Sequence, residues 1–555
     1  MEGVTQLIKK IDIKILILAL LAIFVACTYR NSLYTNIMHK DIYLSEGVSF
    51  KDHQPLEIKN IAGTIISRAE KNKYYPESDI FNPYNGTIFP IDMASPTVIW
   101  EDQYFHSTMW LITVSFENNN HAIYILTDQS RWTPDRNIWE IIKANSVEKK
   151  AFITILGINN KKSCEIITRS SITISTSKDK VGAPIFYQQI PLPFAKAKKH
   201  PELSEWRLGY VSSYETPPIV MEKLPVCGNC HSFSRDGKML GMDMDYKKDK
   251  GAYVLTTVRE NISISADDFI TWNDFQRSEK SESMGLFSRI SPDSKHVIST
   301  VKETSFFTMI PDLYFSQFFF PIKGLIACYS IKENKFFSLP GADDPDYVQT
   351  CPAWSPDGKY VVYARAGVNK NLLMVVGDKG YFNIEQGVRI SDLNKKYKIR
   401  FDLYRIPFNG GKGGVPEPLI GASHNGKSNY FPRFSPDGKW IIFTRSETGL
   451  AIQPDSKLYI VPAEGGIARK LDCNMDIMNS WHSWSPNSRW LLFTSKINTP
   501  FTQIFLTHIN ENGEDSPPVL LSRFNSDRHA CIVPEFVNLN HQGIKKIKLN
   551  DDLIY

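Results

Sequence analysis

Two cysteines and a histidine stand at the spacing used for covalent attachment of a c-type haem. Cys227, Cys230 and His231 lie in the stretch LPVCGNCHSFSRDGKML. In such a site two thiols add to the haem vinyl groups, and the adjacent histidine supplies the proximal iron ligand. The sequence therefore predicts a haem c site and suggests an electron-transfer role. The candidate distal iron ligands are Met242, Met244 and His482.

The same spacing has three other interpretations, which the sequence leaves open. A Cys227–Cys230 disulfide is sterically closable and suits an oxidising compartment. A zinc or other metal site would need a further cysteine or histidine pair at ligand spacing, and the chain has none nearby. Two free, packed thiols are the last alternative. Cytochrome c domains carry this motif on a helix, whereas here it lies between Pro225 and a turn signal.

A short turn motif recurs five times and organises most of the chain. It reads as an aromatic or apolar residue followed by Ser-Pro-Asp-Gly-Lys or a close variant, and an apolar run such as YVVYARA or WIIFTRS comes next. Proline and Asp-Gly favour a tight turn, and β-branched and aromatic residues favour the strand. The copies are spaced about 50 to 80 residues apart, which suits β-propeller blades with insertions. They begin at Phe233, Ile290, Trp354, Phe434 and Trp484.

A sixth, degenerate copy completes the repeat. Pro534 and Phe536 match the strand entry of the other copies, although the turn signature is missing. Six units predict a six-bladed β-propeller. We expect the ring to close by pairing a strand from about residues 200–225 with the last blade, because closure removes exposed sheet edges.

These blade turns resemble those of the TolB-like family of periplasmic β-propellers. The paired elements LYRIPFNGG with FSPDGKWIIFTRS, and LYIVPAEGG with SWSPNSRWLLFTSK, are similar to elements of that family. The resemblance covers about residues 224–538 and implies an all-β, TolB-like propeller. A shared fold says little about function, so the resemblance does not identify a ligand or a partner site.

The region upstream of the propeller has a different character. Short alternating runs, among them TVIWEDQYF, TMWLITVSF and HAIYILT, are separated by turn residues. About seven short strands in a hundred residues are typical of an immunoglobulin or fibronectin type β-sandwich. We therefore expect a tether over residues 28–89, a β-sandwich over 90–195 and the propeller over 196–555.

The first 27 residues have the features of an export signal. Lys9, Lys10 and Lys14 precede an uncharged apolar run over residues 15–26, which is short for a membrane span. Cys27 follows directly, and this junction resembles a bacterial lipoprotein box in which the cysteine is lipidated. A cleaved signal peptide and an uncleaved anchor are the alternatives. Each of these three alternatives exports the chain to the periplasm or outer surface. A lipidated Cys27 or an uncleaved anchor would also tether it to a bacterial membrane.

Composition and motifs exclude several function classes. The formal net charge is +5 over 555 residues, with no long basic stripe, so we expect no nucleic-acid binding. The sequence has no Gly-x-Ser-x-Gly elbow, no His-Glu-x-x-His and no phosphate-cradling loop, which gives an enzyme little support.

Aligning the repeats gives the haem motif a second explanation. Cys230 stands in a column of apolar residues, and His231 stands in a column where another blade also has a histidine, His482. Strand packing therefore accounts for both residues, but not for Cys227. The column of Cys230 contains Phe287, Cys351, Phe431, Trp481 and Val533.

Polar and aromatic residues cluster where the innermost strands begin, a place where propellers bind ligands. We expect an envelope protein, a small molecule or a glycan to bind there; the alternative is that these side chains bond loop backbone and pack between blades. The function predicted is a binding protein, with or without haem, ahead of an enzyme. The candidate ligand residues are Asn429, Tyr430, Asn479, Trp481, His482, Arg528 and His529.

Overall fold

The computed structural model describes residues 42–44, 55–69, 74–102, 107–159, 164–277, 282–377, 384, 387–539, 543–550 and 553. The predicted export signal and the lipidation candidate Cys27 lie outside these residues. In the described part of the chain, no helix has the length and apolar character needed to cross a membrane. The chain divides into two compact units, residues 1–86 with 97–176 and residues 87–96 with 177–555.

The first unit is built on a sheet with one parallel and several antiparallel strand pairs. Its strands, in spatial order, are Ile42–Leu44, Asn119–Thr127, Met109–Phe116, Lys150–Asn159 and Glu165–Ser177. The strand Ile42–Leu44 runs parallel to its neighbour and the others are antiparallel. A smaller sheet consists of Asp79–Asn82, Val98–Glu101 and Arg131–Trp132.

Two helices distinguish this unit from the predicted β-sandwich. The helix Pro55–Ala69 buries Ile58, Ala62 and Ile65, spaced to form one helical face, against sheet residues such as Leu111. The helix Arg136–Ser146 packs on the central strands, and its N-terminus is capped by the Asp135 carboxylate, which accepts from the Ile138 amide at 2.9 Å. Much of the expected tether over residues 28–89 is therefore folded into this unit.

In its described residues the second unit contains six antiparallel blades of four strands, which we number 1 to 6; a parallel bridge between Gly324 and Val348 joins blades 2 and 3 into one sheet. Strands are given from the innermost outward. Blade 1 consists of Gly228–Phe233, Met239–Met244, Ala252–Thr257 and Phe269–Thr271. Blade 2 consists of Leu286–Ile290, His296–Met309, Gln317–Ser330 and Lys335–Ser338. Blade 3 consists of Tyr347–Trp354, Tyr360–Gly367, Asp402–Pro407 and Glu417–Pro418.

The remaining three blades follow the same plan. Blade 4 consists of Ser428–Phe434, Trp440–Ser446, Lys457–Pro462 and Arg469–Lys470. Blade 5 consists of Asn479–Trp484, Trp490–Ser495, Gln503–His508 and Val519–Leu520. Blade 6 consists of His529–Phe536, Ile185–Pro191, Glu205–Gly209 and Ile219–Glu222.

The blades form a closed ring, which makes this unit a β-propeller. Each innermost strand contacts the innermost strand of the next blade, and that of blade 6 contacts that of blade 1. Between blades the core is apolar; for example, Ile298 and Ile326 of blade 2 pack with Val361 of blade 3. The all-β class is confirmed.

Blade 6 joins two distant parts of the chain. The strand Ile185–Pro191 pairs with His529–Phe536, so the closing strand lies upstream of the predicted residues 200–225. Residues 205–222 supply the two outer strands instead. The propeller unit accordingly begins at Ser177, earlier than the expected residue 196.

The repeated Ser-x-Asp turns are structural. In blade 4 the Ser435 hydroxyl donates to the Asp437 carboxylate at 2.6 Å and accepts from the Trp440 amide at 3.0 Å. The Asp437 carboxylate also accepts from the Lys439 amide. Blades 1, 2, 3 and 5 have equivalent bonds. The motif satisfies the polar groups of a tight turn, which explains its repetition without any catalytic role.

Several elements lie outside the four-strand plan. The strand Lys546–Leu549 pairs in parallel with Asn261–Ile264 and packs on blade 1. A further strand is Thr87–Pro90, and the helices are Phe194–Lys199, Lys370–Val376 and Ile390–Lys396. Short 3₁₀ turns occur at Pro201–Leu203, Ala266–Asp268, Trp272–Asp274, Asn409–Gly411 and Ser522–Phe524.

Two equivalent turn glycines provide a test of how the last segment holds blade 1. Gly237 has φ +69° and a Cβ there would overlap the carbonyl oxygen of Asn538, whereas Gly438 has φ +76° and open space. We expect Gly438→Ala to cost about 1 kcal/mol of unfolding free energy, from backbone strain alone. Gly237→Ala should cost at least about 2 kcal/mol more. Urea midpoints measure both, and equal losses would mean that the Asn538 contact is not formed.

Candidate functional site

Every innermost strand is bent at one position, and this bend shapes the central channel. The strand pairing shifts register there in all six blades. In five blades the residue at the bend has a φ between 48° and 60°, which is unusual for residues with large side chains. These residues are Phe287, Cys351, Phe431, Trp481 and Val533. They form the same column in which Cys230 stands in blade 1.

Aromatic side chains from this column span the channel. The rings of Phe287 in blade 2 and Phe431 in blade 4 lie 5.2 Å apart, edge to face. Phe431 in turn stacks on Trp481 of blade 5 at 5.0 Å. Because blades 2 and 5 lie on opposite sides of a six-membered ring, these contacts cross the channel. We call these three residues the aromatic layer.

Charged residues lie one step further along the same strands. Residues two apart point to the same side of a strand, so the position two after the bend also faces the channel. It is occupied by Ser232, Arg289, Ala353, Arg433, Ser483 and Glu535. This second ring therefore contains two arginines and one glutamate, and it lies beside the apolar residues at the bends.

Most polar groups of this ring are already bonded between blades. Arg289 Nη1 donates to Glu535 Oε2 at 3.0 Å and to the His231 carbonyl oxygen at 3.2 Å. The Ser232 hydroxyl oxygen accepts from the Ile290 amide of blade 2, and the Ser483 hydroxyl oxygen accepts from the Phe536 amide of blade 6. These bonds join neighbouring blades and hold the ring in place.

Arg433 differs from the rest of the ring because it has no anionic partner. Its Nη1 donates to the Pro432 carbonyl oxygen at 3.2 Å, and among the residues described no carboxylate forms an ion pair with it. Burial and the nearby charge of Arg289 lower the pKa of Arg433 to about 9. The guanidinium is still protonated at neutral pH, and the residue is half-buried, so an unpaired cation keeps only part of its hydration, at a cost in stability.

A cavity of about 240 Å³ lies between the aromatic layer and the blade turns. Arg289, Arg433 and Glu535 line it, together with aromatic side chains of several blades, among them Trp354 and Trp484.

Arg235 lies across the turn side of this cavity. It stands where blades 2 to 5 have a proline, and it donates to the carbonyl oxygens of Pro356 at 2.6 Å and Pro436 at 3.3 Å. The side chain thus connects blade 1 to blades 3 and 4 over the cavity.

The haem-motif histidine is a packed core residue in this structure. His231 is 1% exposed, and its ring meets the Phe186 ring edge to face at 4.7 Å. Backbone groups of Phe186 and Val533 lie nearby, but neither ring nitrogen has a hydrogen-bond partner of normal geometry. Burial and the charge of Arg289 lower its pKa to about 3, so the ring is neutral at physiological pH.

The two motif cysteines are free thiols in different surroundings. Burial and the Asp245 carboxylate raise the pKa of Cys227. Cys230 is half-buried, and burial and Asp243 raise its pKa to about 12. Both thiols are therefore protonated at neutral pH and are poor metal ligands or nucleophiles. The Cys227–Cys230 disulfide stays a prediction.

The residues do not fit a haem in this conformation. Cys230 and His231 are consecutive residues of a strand and face opposite sides of the sheet, with His231 packed between aromatic rings. The predicted distal ligands Met242 and Met244 are 1% exposed and belong to the apolar core of blade 1. His482 is bonded through Nε2 to the Ile442 carbonyl oxygen at 3.1 Å. In the described chain, no three His, Cys, Asp or Glu side chains group to hold a metal ion.

The predicted ligand residues divide into three groups. Asn429, Tyr430 and Asn479 are 0% exposed and bond local backbone; Asn479 Nδ2, for example, donates to the Ser456 carbonyl oxygen. They take the alternative structural role, which corrects their assignment to a ligand. Trp481 and His482 do line the cavity. Arg528 and His529, at the start of the blade 6 strand, are not part of its lining.

The cavity residues Arg235, Arg289, Arg433 and Glu535 were missed by the sequence analysis. The repeat alignment contained the signal, because the position two after the aligned column must share its side of the strand. A column reading Ser, Arg, Ala, Arg, Ser and Glu is unusual for a packed strand. The binding region was sought instead at the opposite end of the strands.

Replacing His231 tests whether its role is packing. Because the folded pKa of about 3 lies below the ordinary 6.5, the unfolded chain takes up a proton that the folded protein does not, and stability falls as the pH falls from 6.5 towards 3. We expect His231→Phe to remain folded. When the pH is lowered from 7 to 4.5, its unfolding free energy should fall by about 2 kcal/mol less than that of the parent. Urea titrations measure this, with the half-exposed His200→Gln as the control. Equal losses in parent and His231→Phe would contradict it.

Covalent haem stays a prediction of the motif, and the folded geometry argues against it. We expect the exported protein, made in a host that matures c-type cytochromes, to have no added haem mass. Intact mass and a pyridine haemochrome spectrum test this, with Cys227→Ala/Cys230→Ala beside the parent. A haem-sized mass that survives denaturation in the parent alone would overturn the expectation.

Comparisons with known proteins bear on the fold alone. No family model matches the chain, and no curated protein matches it. Similar solved structures include TolB from Acinetobacter baumannii, at 13% identity over 70% of this chain and 79% of that one, with a TM-score of 0.39. A putative TolB from Agrobacterium tumefaciens is 15% identical over 67% of this chain and 95% of that one, with a TM-score of 0.34. At this level of similarity the function must be argued from the cavity itself.

Proposed function

We propose that this protein is an exported binding protein that holds a small organic anion in the central cavity of its propeller. The observation that carries the proposal is Arg433, a guanidinium on the cavity wall without an anionic partner in the described chain. Arg433 is half-buried, an unpaired charge that is partly removed from water is costly, and a bound anion would supply the pair. Export rests on the N-terminal segment and remains part of the proposal.

Further donors beside the cavity support an anion. Arg289 Nε and Trp481 Nε1 are buried atoms without a hydrogen-bond partner in the structure. An unsatisfied buried donor typically costs about 1–3 kcal/mol, and a bound acceptor removes that cost. Both residues line the cavity beside Arg433, and their side chains would have to turn for these nitrogens to meet a ligand.

The cavity is better suited to binding than to catalysis. Its carboxylate, Glu535, is held by Arg289 and by the Phe233 amide, at 3.0 Å and 3.4 Å. A group fixed in this way is poorly placed to act as a general base. His482, which also lines the cavity, has its pKa lowered to about 3 by burial and the charge of Arg433, so it does not supply a proton at neutral pH.

Removing the Arg433 charge should separate stability from binding. We expect Arg433→Met to raise the unfolding free energy of the ligand-free protein by about 1 kcal/mol, because an unpaired cation is replaced by an apolar chain of similar length. The same variant should lose the binding heat of benzoate in isothermal titration calorimetry. Urea midpoints measure the stability difference.

The matched control is Arg405→Met, which removes an arginine of blade 3 from outside the cavity. Arg405 is paired with Glu464 and Glu417, so its loss should lower stability or leave it unchanged and should not affect benzoate binding. An Arg433→Met variant that binds benzoate as the parent does would refute the proposal, whatever its stability.

A further inference from the structure

We propose that the ligand is a monocarboxylic acid with a flat apolar body of about ten non-hydrogen atoms. This inference rests on the proposed anion-binding function and narrows its ligand class. It follows from the charge balance of the cavity, the chemistry of its walls and its volume.

The charge balance favours one negative charge. Arg289 is paired with Glu535, and Arg235 is bonded to two carbonyl oxygens at the solvent-facing side. Arg235 is exposed, so water screens its charge. Among the lining arginines of the described chain, Arg433 alone is half-buried and has no carboxylate in an ion pair. A second negative charge on the ligand would face Glu535 in a partly enclosed space, where repulsion is stronger than in bulk water. A phosphate dianion or a dicarboxylate is therefore disfavoured.

The donors favour a carboxylate. A guanidinium presents two parallel N–H groups, which match the two oxygens of a carboxylate. Arg433 uses Nη1 for the Pro432 carbonyl oxygen, and no other hydrogen bond of its guanidinium is described. The side chains of Arg289 and Trp481 line the same space, although their unbonded nitrogens are enclosed by protein.

The walls favour an apolar body. The indole nitrogen of Trp354 donates to the Arg289 carbonyl oxygen at 3.2 Å, and that of Trp484 to the Arg433 carbonyl oxygen at 3.3 Å. With these N–H groups engaged between blades, the two indoles have only carbon surfaces left for a ligand. Phe233 and Phe536 add further ring surface to the lining. Flat rings pack well against such surfaces.

The volume sets how much of a ligand the cavity can surround. An engineered protein cavity of about 150 Å³ holds one benzene molecule, which has six non-hydrogen atoms. By proportion, the 240 Å³ of this cavity hold about ten. An aromatic ring with a carboxylate, as in benzoate, falls within this limit.

A panel of five probes tests the inference on the unmodified protein by isothermal titration calorimetry. Benzoate has the charge and the ring; benzamide has the ring without the charge; acetate has the charge without the ring. Phthalate adds a second carboxylate, and inorganic phosphate is a different anion. We expect benzoate to bind at least tenfold more tightly than each of the other four, and Arg433→Met to lose this preference over benzamide.

The outcomes separate the inference from the proposed function. If acetate or phosphate binds as tightly as benzoate, the anion site stands and the aromatic monocarboxylate is wrong. If phthalate binds as tightly, the single-charge argument fails. If benzamide matches benzoate, or if none of the five binds, the anion-binding function fails together with the inference.

Discussion

The bend in each innermost strand is the constraint on which the rest of the propeller depends. Six strands must run side by side around one axis, and their inward side chains compete for the space at its centre. A left-handed residue re-aims the chain at the same height in five blades. Such residues cost of order 1–3 kcal/mol each and persist only where surrounding packing fixes them. Here the blade-to-blade contacts provide that fixation.

The bend also separates two chemical environments along the channel. At the bend the inward side chains are apolar, and three of them meet as the aromatic layer. Two residues later all the inward side chains except that of Ala353 are polar, and most bond the next blade. Arg433 differs from Arg289 of the same ring because no carboxylate of the described chain pairs with it. Positions that break a structural rule without compensation are where a binding role is expected.

The sequence predicts the blades well because each repeat is a local unit. Ser-Pro-Asp-Gly-Lys specifies its own turn through bonds spanning five residues, so no distant contact is needed to recognise it. Blade 6 has no such local rule, since Ile185–Pro191 finds its partner only through the closed ring. The helix Pro55–Ala69 was missed although the sequence carries its signal, because residues 28–89 were interpreted as a tether. Its packed apolar residues recur at helical spacing: Ile58, Ile61, Ala62, Ile65, Ile66 and Ala69. Cys227, Cys230 and His231 show that a specific local motif can also mislead. Their spacing is that of a haem site, but Cys230 and His231 lie on the strand Gly228–Phe233 and face opposite sides of the sheet.

The composite blade 6 has a consequence for how the molecule is made. The strand Ile185–Pro191 emerges during synthesis roughly 350 residues before its partner is complete. Until then one edge of an otherwise buried strand lacks its hydrogen bonds, which is a hazard for self-association. Such distant pairing is also slow. Gln188 and Gln189 interrupt the apolar run at its centre, and once folded they donate to the carbonyl oxygens of Gly228 and Phe524. The same two amides that interrupt the apolar run of the waiting strand thus become links to the neighbouring parts of the finished ring.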